Sequence, residues 1–204
     1  MGKQKKIDPI CKSGVTLIEV IVALAVLAIL STVGVGIFLS INNAYSKSEI
    51  NNRLRQEGLR VMEEMSRVIK SGSNLNGVGN CNGAVCDGLE ITVSPQSLEY
   101  AQNGNCEKVV FQYQNADSNR NNYINKTLSG GSSCSPVGAG AITSTDRRRG
   151  VDVNLLEFTV TDGGGVYPDR VKIKMVLQQG LDVPQRQEYK GQVTLEEIIS
   201  TRGY

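Results

Sequence analysis

The most marked pattern in the chain is a long apolar run near its amino end. Residues 15–41 contain one charged side chain, Glu19, and the four lysines ahead of the run are accompanied by a single acid, Asp8. About twenty apolar residues cross the hydrocarbon core of a bilayer, so this run is long enough to span one. The preceding lysines favour a cytoplasmic amino end. We therefore expect a single-pass membrane protein whose carboxy-terminal part is exported.

A helical period continues after the apolar run, but on one face only. Apolar residues recur at three- and four-residue spacing among arginines and glutamates, at Ile50, Leu54, Val61, Met62, Met65, Val68 and Ile69. This spacing predicts an amphipathic helix over residues 42–72. The cluster Ser71-Gly72-Ser73-Asn74 is typical of a helix end. One helix is thus predicted from about Thr16 to Lys70, on the order of 80 Å long at 1.5 Å per residue.

Two glycines, Gly34 and Gly36, lie near the end of the apolar run. Each weakens a helix by about 1 kcal/mol relative to alanine. They either let the backbone extend locally or allow another helix to pack closely against it. The sequence leaves both interpretations open.

The remaining chain, residues 73–204, is patterned for β-structure between loops rich in Gly, Asn and Ser. Short β-patterned runs occur at Leu89–Val93, Ser97–Tyr100, Val109–Tyr113, Tyr123–Leu128, Leu155–Val160, Val171–Leu177 and Glu188–Ile198. Strict alternation in Arg170–Met175 predicts a strand with one wet face and one packed face, and the Met62 and Met65 stripe is the available apolar surface. The expected fold class is α+β, a long helix packed on an antiparallel sheet.

The amino-acid composition argues against several classes of function. The chain has no histidine and no tryptophan, and its formal net charge is +2. Histidine is the usual general base and metal ligand, so its absence argues against a Ser/His/Asp or Cys/His catalytic site. A small net charge gives no sign of a nucleic-acid partner. We expect no enzyme activity, no cofactor and no nucleic-acid binding.

The residues Ser13-Gly14-Val15-Thr16-Leu17-Ile18-Glu19-Val20 resemble the prepilin peptidase site of type IV pilins and type II secretion pseudopilins. In that family a short basic leader ends in glycine and is followed by an apolar or aromatic residue and Thr-Leu-Ile-Glu. The resemblance implies a leader of residues 1–14, cleavage between Gly14 and Val15, N-methylation of Val15, and an assembly role for Glu19. This chain has Val15 where the family usually has phenylalanine.

The physical chemistry of Glu19 agrees with this resemblance. A carboxylate within a membrane helix costs on the order of 3 kcal/mol and needs a partner. Cleavage would free the amino group of Val15 one helical turn away, and the same group of a neighbouring subunit could also pair with Glu19. The alternative is that Glu19 lies near the membrane surface, contacts headgroups and has no role in assembly.

The wider chain is similar to the larger minor subunits called PilW-like or J-type. The likeness lies in the spaced Arg and Glu residues of Arg53–Arg67, in the run Val109–Tyr113 followed by Tyr123-Ile124-Asn125-Lys126, and in a last strand ending Ser200-Thr201-Arg202-Gly203. It implies prepilin peptidase, other pilin or pseudopilin subunits and the cytoplasmic membrane as partners. The rival interpretations are an uncleaved single-span protein with an exported ligand-binding domain, and a secreted enzyme.

Four cysteines follow the membrane run: Cys81, Cys86, Cys106 and Cys134. An even number in an exported domain favours disulfides, with three possible pairings. Asn82-Gly83 is a turn pair that could bring Cys81 to Cys86, which leaves Cys106 with Cys134. The alternative is a zinc site of four thiolates, but the chain lacks paired Cys-x-x-Cys motifs. Cys11 lies in the leader.

Three loops carry weaker signals. Residues 117–125 place oxygen side chains at positions 1, 3, 5 and 9 of a calcium-loop frame, but Leu128 occupies the twelfth position, so a solvated turn is expected. Arg147-Arg148-Arg149 could contact DNA or acidic lipid, and a solvated loop is the simpler interpretation. Asp162-Gly163-Gly164-Gly165 is typical of a hairpin connection.

Overall fold

The computed structural model describes residues 14–148, 150–164, 167–182 and 190–201. Its elements, in chain order, are α1 (Leu17–Ser71), β1 (Gly72–Asn82), β2 (Val85–Val93), α2 (Leu98–Gln102), β3 (Lys108–Gln114), β4 (Tyr123–Ser129), β5 (Gly140–Ala141), β6 (Val151–Thr161), β7 (Arg170–Gln179) and β8 (Gln192–Ser200). The chain forms two compact units, residues 1–44 and residues 45–204. The architecture is α+β, as the sequence predicts.

The described part of the first unit is helical from Leu17 onward. The most apolar 18-residue window of α1 has a mean hydropathy of 2.7, and none of it is buried by other parts of the protein. By length and composition, this is the one helix among the described residues that could cross a membrane. The helix begins one residue after the predicted start at Thr16.

The second unit, residues 45–204, is built on a sheet whose described strands run in the order β5-β4-β3-β2-β6-β7-β8, with β1 paired to β2. All of the strand pairings are antiparallel. Neighbours in sequence mostly pair, as expected for hairpin connections. The connection from β6 to β7 carries the predicted hairpin residues Asp162–Gly164, and Gly165 lies outside the described residues.

The core of this unit lies between the carboxy-terminal part of α1 and the sheet. Met62 and Met65 on α1 are buried together with the inward residues of β7, Ile173 and Met175. The buried face of this strand and the methionine stripe thus belong to one apolar core, as the predicted packing requires. The other buried positions of α1 are Leu54, Gly58, Val61, Ser66, Val68 and Ile69, which follow the helical period of the sequence.

Gly58 is the point at which α1 approaches the sheet most closely. A Cβ atom at this position would meet Leu195 of β8 at less than contact distance and would lie 2.7 Å from Leu177 Cδ1 of β7. Real Cβ atoms essentially never come so close to a neighbour. A larger residue would therefore have to displace the ends of these two leucine side chains, and the glycine avoids this although it is costly to the helix itself.

Two polar contacts join α1 to the β4–β5 side of the sheet. Lys126 of β4 is 4 % exposed, and its Nζ lies 3.2 Å from Glu64 Oε1. One turn earlier on the helix, Arg60 Nη2 donates to the backbone oxygen of Ile142 at 2.6 Å. The Glu64 carboxylate compensates the charge of a lysine that the fold places inside, and the Arg60 hydrogen bond ties the helix to the chain after β5.

One predicted strand is wrong, one strand was not predicted, and the bounds of a third differ from the prediction. Residues 97–100 form no strand: Ser97 caps α2, its Oγ accepting from the Tyr100 backbone N–H at 3.1 Å. Strand β1 was not predicted, because its Gly- and Asn-rich sequence lacks alternation, and it starts directly after α1 ends. The last predicted strand, Glu188–Ile198, is described as Gln192–Ser200, while Glu188 and Tyr189 lie outside the described residues.

Candidate functional site

The residues flanking the predicted cleavage site lie just ahead of α1. Gly14, Val15 and Thr16 are exposed and have no regular secondary structure, and the helix starts at Leu17. The peptide bond between Gly14 and Val15 is therefore outside the helical hydrogen-bond ladder. A Cβ atom at Gly14 would meet nothing within 4 Å. An unwound, exposed peptide bond is accessible to a peptidase in a way that a helical one is not.

Glu19 is bound to Thr16 by reciprocal hydrogen bonds. The Thr16 backbone N–H and hydroxyl donate to Glu19 Oε2 at 3.1 and 3.2 Å, and the Glu19 backbone N–H lies 3.4 Å from Thr16 Oγ1. This is a capping box, in which a threonine and a glutamate three residues later satisfy each other's free N–H groups at a helix start. The carboxylate also favours the positive end of the helix dipole.

The side chains after Glu19 are suited to an apolar medium. Leu17 to Ile41 are exposed throughout in this unit, including Leu24, Leu30 and Phe38. Two hydroxyls in the middle of the run bond within the helix, since Ser31 Oγ donates to Leu27 O at 2.7 Å and Thr32 Oγ1 to Ile29 O at 2.8 Å. Internal hydrogen bonds of this kind suit polar side chains to an apolar medium.

The four cysteines of the second unit form two pairs. Cys81 is joined to Cys86, with 4.1 Å between the Cα atoms, and Cys106 to Cys134, with 4.5 Å. The first pair closes the β1–β2 hairpin, where Cys81 and Cys86 are register partners. The second ties the loop after α2 to the loop after β4. These pairs account for the four cysteines of the second unit without a zinc site, and no group of three or more His, Cys, Asp or Glu residues is placed for metal binding in the described part of the chain.

The residues of the calcium-loop frame do not converge on a common point. Asp117 Oδ1 accepts from the Asn119 backbone N–H at 2.7 Å, as in an ordinary turn. Asn121 is fully buried, donates to the backbone oxygen of Asp146 and accepts from Leu181 N, and Asn125 lies in β4. The turn is solvated over residues 117–120, but Asn121 is a buried structural link, which the sequence did not predict.

One arginine of the basic triplet, Arg147, forms an ion pair and hydrogen bonds with neighbouring loop residues. Arg147 Nη2 lies 3.0 Å from Asp182 Oδ1, and its Nη1 donates to the backbone oxygen of Asp117. The hydrogen bond from Arg147, together with its charge, lowers the pKa of the Asp182 carboxyl below its ordinary value. Arg148 is exposed, and Arg149 lies outside the described residues. One of the three arginines is thus a structural residue of the loop.

Residues 11–35 match the family model of the prokaryotic N-terminal methylation motif. The matched segment covers the Gly14–Val15 bond, the Thr16–Glu19 capping box and the first half of the exposed apolar run. No curated protein and no solved structure matches the chain.

Proposed function

We propose, from the N-terminal methylation motif of residues 11–35, that the protein is a minor pilin or pseudopilin subunit assembled through its amino-terminal helix into a type IV pilus or type II secretion pseudopilus. The motif itself supports prepilin-type processing. The observation that carries the proposal is its position: the predicted scissile bond lies in unwound chain two residues ahead of an exposed apolar helix. The segment that the peptidase would cut thus directly precedes the helix that would insert into the membrane.

The proposed course begins in the membrane. The lysines of residues 1–14 keep the amino end cytoplasmic while residues 15–41 span the bilayer and residues 73–204 are exported. Two disulfides in the second unit suit the oxidising side of that membrane. Prepilin peptidase removes residues 1–14, and Val15 becomes the new, N-methylated terminus.

Glu19 has two partners in succession in this scheme. In the full chain its carboxylate accepts hydrogen bonds from Thr16. After cleavage, the charged amino group of Val15 lies within one helical turn, and that of a neighbouring subunit becomes a further partner. A pair formed between subunits in an apolar medium would fix the axial register of packed helices, which apolar packing alone specifies poorly.

The subunit class is the finer part of the proposal. The larger exported domain, with its Arg- and Glu-rich helix face and β-rich remainder, supports a PilW-like or J-type minor subunit with a structural role. Its partners would be prepilin peptidase, other pilin or pseudopilin subunits and the membrane. The alternative is an uncleaved single-span protein with a ligand-binding domain.

Processing is tested by co-expression with a prepilin peptidase. The product should begin at Val15, and Gly14→Ala should leave the chain uncut. Thiol alkylation gives a second readout, because the chain has five cysteines and four of them are paired. The uncut chain should expose one thiol, that of Cys11, and the processed chain none.

Mass spectrometry of the protein from its own host decides between the two functions. A chain that still begins at Met1 in the presence of active peptidase would contradict the subunit assignment and favour the uncleaved anchor. Four alkylated thiols in native, processed protein would contradict the disulfides and leave the processing result unaffected.

A further inference from the structure

A cleft of about 790 Å³ opens in the second unit between the end of α1 and α2. Its volume lies within the range of small-molecule sites, about 300–1,000 Å³. One wall comes from the last turns of α1 with Arg67 and Lys70, and the other from the segment of residues 94–102, which includes α2. The cleft lies wholly within residues 45–204, so it is independent of the membrane helix.

The cationic wall is partly preorganised. Arg67 Nε lies 3.4 Å from Glu99 Oε2, and its Nη1 donates to Gln102 Oε1 at 3.2 Å. Glu99 is 4 % exposed and is also held by Asn103, whose Nδ2 donates to Glu99 Oε1. A guanidinium has five N–H donors, so these contacts leave donors available to a ligand. The guanidinium is thus fixed in place before any ligand arrives.

The net charge of the cleft is small. Glu99 balances the charge of Arg67, whereas Lys70 is exposed and forms no ion pair within the described residues. One uncompensated positive charge remains. This suits a ligand group with a single negative charge, such as a carboxylate, better than a phosphate dianion, for which further cations would be needed.

The remaining lining is neutral, and its surface is more apolar than polar. The hydroxyl protons of Ser73 and Ser97 are donated to the backbone oxygens of Thr92 and Ser94; the Ser97 oxygen also accepts from the Tyr100 backbone N–H, so it keeps one further lone pair for a ligand. Gln96 offers both a donor and an acceptor. At the rim, Leu98 is 75 % exposed and presents apolar surface. Such a mixture matches a ligand with many hydroxyls and C–H faces.

We propose that this cleft binds an acidic saccharide. The sugar carboxylate contacts Arg67 and Lys70, the sugar hydroxyls donate to the serine oxygens and exchange hydrogen bonds with Gln96, and Leu98 packs on the ring. This binding is separate from the subunit function proposed above, since it needs neither cleavage nor assembly.

The test is a calorimetric titration of the full chain in detergent micelles at low salt, with three probes: a trimer of galacturonic acid, a neutral trimer of galactose, and inorganic phosphate. The acidic trimer should bind saturably. The neutral trimer should bind at least about fivefold more weakly, because it lacks the charged group, and added salt should weaken the acidic trimer. Phosphate should show no saturable binding.

Variants assign the binding to the cleft. Lys70→Gln should weaken the acidic trimer about fivefold, and Lys70→Arg should restore it. Lys47→Gln removes the same charge from an exposed position of α1 outside the cleft and should leave binding within about twofold. Leu98→Asp adds a negative charge at the rim and should weaken binding without touching the cationic wall.

Three outcomes would overturn the proposal. They are no saturable binding of the acidic trimer by the folded native chain, equal loss in Lys47→Gln and Lys70→Gln, and phosphate binding as tight as that of the trimer. Thermal unfolding of each variant, measured in parallel, separates lost binding from lost structure.

Discussion

Thr16 and Glu19 cap each other at the start of α1, with Glu19 Oε2 receiving both the backbone N–H and the hydroxyl of Thr16. The contact explains why the helix begins at Leu17 and leaves Gly14 and Val15 unwound. In the proposed subunit function, it also gives the Glu19 carboxylate hydrogen-bond partners before the leader is cut and before any neighbouring subunit is available. The cost of placing Glu19 near the bilayer is thereby reduced.

The first prediction tests this cap. Thr16→Val keeps the shape of the side chain but removes the hydroxyl, and loss of a capping hydroxyl costs about 1 kcal/mol of helix stability. The backbone amides of Glu19 and Val20, which donate to Thr16 Oγ1 and to Thr16 O, should then exchange with solvent about fivefold faster in micelles. Thr16→Ser keeps the hydroxyl and should exchange at the native rate. Native exchange in the valine variant would contradict the capping role.

A second prediction concerns Gly58. An exposed helical glycine usually gains about 1 kcal/mol when replaced by alanine, but the added methyl group here meets Leu177 and Leu195. Overpacking of this kind costs about 1–3 kcal/mol, so Gly58→Ala should lower the thermal midpoint of the exported unit. Circular dichroism of the full chain in detergent measures the change.

Gly34→Ala is the matched control for this substitution. Gly34 is also a glycine of α1, and a Cβ atom there would meet nothing within 4 Å. The exported unit should unfold at the native midpoint in this variant. A stabilised Gly58→Ala protein would show that the helix and sheet are farther apart than the structure places them.

The strands that were predicted correctly share a strong local signal. Residues 170–175 of β7 alternate strictly because one face is buried and the other is wet, and that period is visible in the sequence. Strand β1 lacks such a signal. It is held by its register with β2 and closed by the Cys81–Cys86 pair, which are tertiary contacts.

The candidate processing site could be predicted because its residues are close together in the sequence and form a recognisable motif. Gly14, Val15 and Glu19 are found from the motif, and the capping box could have been found from a threonine followed three residues later by a glutamate. The cleft between Arg67 and residues 94–102 was not predictable, because its walls are separated in sequence and meet only through packing. The same holds for Glu64 and Lys126.

The third prediction concerns that ion pair. Glu64→Gln would leave the buried ammonium of Lys126 without its partner, and breaking a buried pair on one side costs about 3–5 kcal/mol. Glu64→Gln with Lys126→Met removes both charges and should recover most of that loss. Urea unfolding of the native chain, the two single variants and the double variant gives the coupling free energy.

Glu57 and Arg60 provide a comparison for this cycle. They form an ion pair on the same helix, but the Arg60 side chain is 57 % exposed. Exposed helix pairs contribute about 0.3–0.5 kcal/mol, so Glu57→Gln should cost far less than Glu64→Gln. Equal costs would contradict the burial of Lys126.

The last prediction separates the two roles of Glu19. Glu19→Ala removes both the charge and the carboxylate that accepts from Thr16, Glu19→Gln keeps an oxygen that can accept from Thr16, and Thr16→Val removes the capping hydroxyl but keeps the charge. If the charge pairs with the amino terminus of a neighbouring subunit, both Glu19 variants should lose cross-linking to a co-assembled pilin, and Thr16→Val should retain it. Leader cleavage should persist in the Glu19 variants, since removing a membrane charge lowers the cost of insertion.

Cleavage, membrane abundance and cross-linking are measured in the same cells, so that poor assembly is distinguished from poor processing. Full cross-linking and filament function in Glu19→Ala would contradict the assembly role and favour the single-span anchor. Loss of cross-linking in Thr16→Val but not in Glu19→Gln would instead assign the defect to the helix start, because Thr16→Val keeps the charge and weakens the cap, whereas Glu19→Gln loses the charge and keeps an acceptor for the cap.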